Sequence, residues 1–596
     1  MVTPLISLEK YTELWFIDFE FTGLDGELPV PLCLTGTELR TGQQIRMWQD
    51  ELVTLGTPPF DVGTSTLVVA YYASAEMSCF LSLGWSLPKN LLDLFTEFRV
   101  ATNGLTLPGN LGASLLDAVA HYGLSVPDAA VKDAMRARIL QGPPFSQEER
   151  RQILDYCLSD TSALVSLFSK IKPQLSPQSL LRGRYMQAVA VMERNGIPID
   201  TDSNDKLVAN WDRLLTEILQ ETDRNYGVFD QTTFKTDRFV NWTRAQGIAW
   251  PLLDSGKPAL DKDTFKEMSR LHPIIEPLSQ LRNTLSQTRK GRLSIGPDGR
   301  NRTMLSAFRS ITGRNQPSTT EFIYGCPAWM RFLIKPEPGT ALAYIDWSSQ
   351  EFGIAAALSE DRNMKAAYHS GDPYLYFGKL GGLLPEDATK VSHQAERDKL
   401  KVVVLATQYS MGPRTLAARL GVSEGEAERL LKLHRFVFKE YWRWNDALEN
   451  QARFHGLIQT VYGWPLHIQL GSRGVKPTKE TTLRNFLLQA TGAEILRLFC
   501  CLAVQQDIKV CAPVHDAVLI EAPVDKIDAA VATTQNLMRQ AGEIILAGFQ
   551  LRSEAKVFRY PDRYTDPRGV AMWETVKTFL ESLTEDTIIL PEAPSR

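Results

Sequence analysis

Two acidic motifs stand far apart in this chain, Ile345-Asp346-Trp347-Ser348-Ser349-Gln350-Glu351 and Val514-His515-Asp516, and each closes an apolar run of strand character. Two carboxylates held over one patch of solvent can clamp a pair of divalent ions about 4 Å apart for in-line phosphoryl transfer. Singly, an acid at a strand end is more often a turn residue. Between the motifs, Arg397, Lys401, Leu405 and Tyr409 recur every fourth residue. On a helix they share one face, with two cations for phosphate followed by a flat aromatic surface for a base. Alone, such a face also suits a solvated amphipathic helix.

The amino-terminal third carries a second acidic set. In Trp15-Phe16-Ile17-Asp18-Phe19-Glu20-Phe21 a strand points Asp18 and Glu20 to one face, because side chains two apart lie on the same side. Downstream, Tyr156 and Asp160 are one helical turn apart. Together these residues suit two-metal hydrolysis, with Tyr156 orienting the attacking water.

The elements that must position these groups follow from changes of pattern. Residues 1 to about 172 alternate short strands and helices, and Lys172-Pro173-Gln174-Leu175-Ser176-Pro177 marks the exit into a helix-rich region. Long amphipathic segments are expected over Asp205 to Tyr226 and Pro273 to Lys290. A hairpin-like turn is expected at Thr460 to Pro465. Between Arg282 and Lys335, ten Lys or Arg face two acids, Asp298 and Glu321. Arg289, Lys290 and Arg292 lie in that stretch beside the punctuation Gly291, Gly296-Pro297 and Gly299, and can neutralise phosphates as a flexible tip.

A chain of 596 residues is too long for one core, and a hydrophobic fraction of 44% describes an enzyme of several domains. The net charge of −4 excludes a uniformly basic nucleic-acid coat. Seven scattered cysteines show no zinc spacing and no disulfide framework. Neither a leader-like start nor a run of about 18 apolar residues is evident, so no membrane association and a cytoplasmic location are expected.

In order and spacing, Thr312-Gly313-Arg314, Asp346 to Glu351, Arg397 to Tyr409, Arg484-Asn485 to Gln489 and His515-Asp516 resemble the polymerase core of the family A DNA polymerases, over roughly residues 180 to 560. The resemblance implies that Asp346 and Asp516 bind two magnesium ions, with manganese as a substitute. It implies that Glu351 excludes a ribose 2′-hydroxyl, that Arg397 and Lys401 hold the triphosphate, and that Leu405 and Tyr409 line the nucleotide pocket. Arg314, Asn485 and Gln489 correspond to groups on the minor-groove side of the primer-template, and His515 to one near the primer terminus. The chain departs from the family at Leu405, where an aromatic residue is usual, and at Ala517, where an acid is. Trp347 and Ser349 replace the more common tyrosine and glutamine.

The amino-terminal set resembles the 3′–5′ proofreading exonuclease of the ribonuclease-H-like superfamily, with Asp18, Glu20 and Asp160 as ligands of two further magnesium ions. The family's remaining aspartate falls at Glu76, after the strand Thr66 to Tyr71. Asp93 and Glu97 offer a substitute, although they read more simply as polar positions on a helix. The fold implied is multidomain α/β and α+β: exonuclease at 1–172, thumb and start of palm at 178–335, palm at 336–360, fingers at 361–450, and palm again at 451–596. The partners implied are primer-template DNA and deoxynucleoside triphosphates, with a helicase, primase or single-strand-binding protein in a replisome, and the chain is expected to act as a monomer. Because no 5′ nuclease precedes Asp18 in this sequence, a compact phage-type replicase is expected. Three rivals stay open: a single-subunit RNA polymerase, a nuclease with an inactive polymerase domain, and a non-catalytic primer-template clamp.

Overall fold

In the computed structural model, residues 6–585 are described apart from 24, 126–128, 254, 287–292 and 472–476. The first sheet has five strands: β1 (Glu13–Thr22), β2 (Val30–Glu38), β3 (Gln44–Trp48), β4 (Thr66–Ala70) and β5 (Leu91–Asp93), in the order β3-β2-β1-β4-β5. β1 runs antiparallel to β2 and parallel to β4, and β4 is parallel to β5. Leu14 to Ile17 are all buried, as expected of a central strand covered on both faces. The helices of this half include α1 (Ser74–Ser82), α2 (Leu94–Thr102), α3 (Ala129–Gln141), α4 (Gln147–Ile171) and α5 (Pro177–Asn195). α4 starts where Ser146 accepts a hydrogen bond from the Glu149 amide at 3.2 Å and Glu149 accepts one from the Ser146 amide, a reciprocal cap.

The second sheet is antiparallel and assembled from distant segments: β6 (Thr340–Trp347), β7 (Lys509–Val514), β8 (Ala517–Pro523) and β9 (Ser553–Arg559), in the order β7-β8-β6-β9. β6 therefore lies between β8, the strand that follows His515-Asp516, and β9. Between β6 and β7 come α6 (Gln394–Gln408) and α7 (Glu480–Gln505), together with six further helices among the described residues and the hairpin of Leu457–Gln459 and Pro465–His467. α7 is long and apolar enough to cross a membrane by composition alone, but most of it is packed inside the protein, where a core helix has the same composition as a membrane span.

Two expected helices differ. Asp205 to Tyr226 is split at Asn210 into Thr201–Ala209 and Trp211–Asp223, because Asn210 (φ −115°, ψ 23°) caps one and opens the other. The second runs only over Glu276–Leu285, and Arg289, Lys290 and Arg292 lie outside the described residues.

The basic stretch is also less open to phosphate than its composition suggests. Arg300 is buried between Glu337 (2.7 Å) and Glu521, Arg302 pairs with Asp298 at 2.5 Å, and Arg331 pairs with Asp566 at 2.7 Å. Arg282 stacks over Phe265 and Phe234, 4.2 and 4.5 Å from their ring centres. A buried guanidinium must be paired, and these four found acids, carbonyls or rings within the fold. All seven cysteines are free and buried.

Candidate functional site

Asp346 ends β6, in register with Ala517 on β8 and Glu554 on β9. Asp516 occupies the β7–β8 turn, and its carbonyl accepts a hydrogen bond from the Trp347 amide at 3.1 Å. The chain reverses sharply beside both acids, with positive φ at Ser349 (52°) and His515 (57°). Left-handed backbone at two non-glycine residues costs conformational energy and concentrates at functional sites. Asp346 is pushed up to about 7 by burial, then by the charges of Asp516 and Glu554. Asp516 is also raised, chiefly by burial, against the favourable charge of Arg314.

Glu554 is a member of this group that sequence reasoning missed. It faces Asp346 directly across the strand pair and accepts a hydrogen bond from Ser348 Oγ at 3.1 Å. Like charges opposite one another destabilise a sheet. Nothing local marks Glu554; it reaches the site only through a pairing of strands some 200 residues apart in sequence.

The four-residue spacing on α6 does place Arg397, Lys401 and Leu405 on one helix, with Tyr409 at its C-terminal cap. Arg397 donates to Asp372 at 2.5 Å and to Asp398 at 3.2 Å. Burial disfavours its charge, but these bonds more than offset that and raise its pKa. Both cations stand over the Tyr374 ring, at 5.4 Å for Arg397 and 5.8 Å for Lys401. The Tyr374 pKa is raised by burial and held back by the nearby Ser349 hydroxyl, so the ring beneath the two cations lies beside the turn that follows Asp346. Glu351 accepts from the Tyr409 hydroxyl, and from Arg314 Nη2 at 3.2 Å. Asn485 and Gln489 lie one turn apart on α7, both half-buried.

In the amino-terminal half, one oxygen from each of Asp18, Glu20 and Asp160 lies within 4.8 Å of the others, the one such trio among the described residues. Burial, then the Asp160 charge, lifts Asp18 to about 8; burial, then the Asp18 charge, lifts Glu20 to about 10. Cys157 donates to Asp18 Oδ2 at 3.1 Å. Tyr156 sits a turn before Asp160, and Lys132 of α3, unforeseen from sequence, pairs with Asp160 and lies 5.5 Å from the Tyr156 ring centre. Glu76 falls outside the trio but is 4% exposed on α1, and its carboxyl is raised well above the usual range by burial, then by the Asp18 charge. Glu76 Oε2 has no hydrogen-bond partner among the described residues. Three converging carboxylates, with a buried and orphaned carboxylate oxygen close enough to feel the Asp18 charge, are a donor set that suits hard divalent cations.

Asp93 and Glu97 are not surface positions. Both are buried: Asp93 accepts from the amides of Tyr72 (2.8 Å) and Phe95 (3.0 Å), and Glu97 forms a two-pronged ion pair with Arg182 at 2.7 and 2.8 Å. They brace the fold, whereas Glu76 is a buried acid that feels the charge of Asp18.

Residues 255–557 match the model of a family described as DNA polymerase family A. DNA polymerase I of Aquifex aeolicus is 24% identical over 408 residues, which is 65% of this chain and 68% of that protein. DNA polymerase I of Chloroflexus aurantiacus is 22% identical over 491 residues, 75% of this chain, and the DNA polymerase of Escherichia phage T5 is 25% identical over 447 residues, 63% of this chain. The match spans 51% of each of these two relatives. A solved structure of the POL domain of Pol1 from M. smegmatis, in complex with DNA primer-template and dNTP, superposes with a TM-score of 0.67 at 17% identity, covering 92% of this chain and 96% of that one.

Proposed function

The chain belongs to family A of the DNA polymerases, and on that premise we propose that it extends a DNA primer along a template from deoxynucleoside triphosphates. The observation that carries the reading is the approach of Asp516 to Asp346 at the end of the second sheet, with Arg397 and Lys401 together over the Tyr374 ring, which lies beside Ser349. Asp346 and Asp516 are the residues to hold divalent ions, magnesium or manganese. Bound there, such ions acidify the primer 3′-hydroxyl and neutralise the leaving pyrophosphate.

The chain's own groups do the rest. Lys401 and Arg397 draw in the triphosphate, and Arg397 exchanges its Asp372 carboxylate for a phosphate oxygen as the nucleotide arrives. Glu351, held by Tyr409 and Arg314, fills the space a 2′-hydroxyl requires. Arg314, Asn485, Gln489 and His515 orient the primer-template, and Leu405 packs beneath the incoming nucleotide.

The same reading assigns the amino-terminal half to 3′–5′ exonucleolytic proofreading. Its support is the order of the first sheet, one antiparallel flank on a parallel core, and the convergence of Asp18, Glu20 and Asp160 with the orphaned Glu76. Tyr156 holds the hydrolytic water. Action as a monomeric, phage-type replicase beside helicase, primase and single-strand-binding protein in a bacterial cytoplasm completes the proposal. The test offers a labelled primer-template with either deoxynucleotides or ribonucleotides. Extension confined to deoxynucleotides supports the reading, preference for ribonucleotides transfers it to an RNA polymerase, and no extension with either refutes it.

A further inference from the structure

The loop of residues 306–315, which delivers Arg314 to Glu351, is held mainly by groups far from it in sequence. Trp464 Nε1 donates to the Ile311 carbonyl at 3.0 Å and Arg497 Nη1 to the Gly313 carbonyl at 2.9 Å. The amino-terminal half supplies the rest. Asn103, fully buried after the end of α2, donates from Nδ2 to the carbonyls of Ile311 (2.7 Å) and Pro465 (2.6 Å). Its own carbonyl accepts from the His467 amide at 3.0 Å, and its Oδ1 accepts from Arg99 at 3.2 Å. Arg99 also reaches the Phe308 and Arg309 carbonyls, each at 3.4 Å. Next to it, Gly104 has a positive φ of 88°, and a Cβ there would lie 2.6 Å from Leu466 Cδ1.

The other end of α2 is fixed at the opposite site. Asp93 caps the helix and binds the Tyr72 amide, at the start of the segment that leads into Glu76. Midway, Glu97 is locked to Arg182 on α5. A helix of nine residues spans about 13 Å. Its two ends are thus anchored on the backbone that carries Glu76 and on the backbone that carries Arg314.

We infer that Asn103 is a positioning residue of the polymerase site, and that α2 is a strut through which the amino-terminal half sets the Arg314 loop. Both N–H donors of the Asn103 amide are used on carbonyls from two separate segments, Ile311 and Pro465, so the side chain acts as a staple. When the staple is absent, the loop loses its fixed distance from β6, and Arg314 loses its register with Glu351. The inference rests on the proposed polymerase reading.

The test compares wild type with Asn103→Ala, which removes the staple, and Gly104→Ala, which forces the same seam apart while keeping Asn103. Three quantities are measured on each: affinity for a fluorescent primer-template, the ratio of deoxynucleotide to ribonucleotide incorporation, and the melting temperature. A positioning role predicts, for both folded variants, primer-template affinity weakened about tenfold and a several-fold lower sugar selectivity. A merely structural role lowers melting temperature and total activity but leaves selectivity unchanged, and that result overturns the inference. Wild-type affinity and selectivity in the variants overturn it too, as does a failure of both to fold, which makes the seam a folding requirement. If wild type itself extends no primer, it is the polymerase reading that has failed, and the two failures are thereby distinguished.

Discussion

Replacing Glu76 by Gln probes the amino-terminal site through stability alone. Glu76 is buried, unpartnered at Oε2 and beside Asp18, so the fold holds it protonated. In the unfolded chain a glutamate titrates at about 4.3, and each pH unit between that value and the raised folded one costs about 1.36 kcal/mol to keep the proton. The sign follows: below about pH 4 both states hold the proton and there is no penalty, whereas the penalty grows as pH rises toward the folded pKa. Gln removes it but leaves an amide that needs partners of its own, which returns part of the gain. The net expected is about 2 kcal/mol of stabilisation at pH 8, or roughly 5 °C in the transition of a domain of this size. The assay is thermal melting in EDTA at pH 5 and pH 8, repeated with magnesium or calcium. Glu76→Gln is expected to melt higher than wild type at pH 8 without metal, to approach it at pH 5, and to lose much of the stabilisation that metal gives wild type. A variant that melts lower at pH 8 in EDTA, or that gains as much from metal as wild type does, refutes the placement of Glu76 at a cation site.

Other consequences are equally open to measurement. Because burial and the charges of Asp516 and Glu554 push Asp346 up to about 7, primer extension at limiting magnesium should fall as pH drops through that value, and Glu554→Gln, by removing one of the raising charges, should move this acid limb to lower pH; an unmoved limb excludes Glu554 from the site. Glu351→Ala frees both Tyr409 and Arg314 and should raise ribonucleotide incorporation relative to deoxynucleotide by about tenfold or more, read in competition gels. Arg182→Met leaves Glu97 buried without its cation and should cost about 3–5 kcal/mol in urea unfolding, against less than about 1 kcal/mol for the exposed pair Arg151–Glu148.

What the sequence made legible was whatever a single element carries. Asp18 and Glu20 share a strand face, Tyr156 and Asp160 share a helix, and Arg397, Lys401 and Leu405 share another, because these relations depend only on local periodicity. Residues supplied by long-range pairing were not legible. Glu554 enters through the register of β6 with β9, Lys132 through the packing of α3 on α4, and Asn103 through a seam between halves whose contacts lie more than 200 residues away. The basic stretch misled for the same reason. Composition showed ten cations, but the acids that neutralise Arg300 and Arg331, Glu521 and Asp566, stand far downstream. Glu97 read as a polar helix position because its partner, Arg182, lies 85 residues on.

Two acidic sites that perform separate phosphoryl chemistry must fail separately. The most direct test places wild type, Asp346→Ala and Asp18→Ala with magnesium on a 5′-labelled primer-template, matched or mismatched at the 3′ end, with and without deoxynucleotides. Extension is expected to be lost only in Asp346→Ala and shortening only in Asp18→Ala. Extension that survives Asp346→Ala, or shortening that survives Asp18→Ala, would contradict that division.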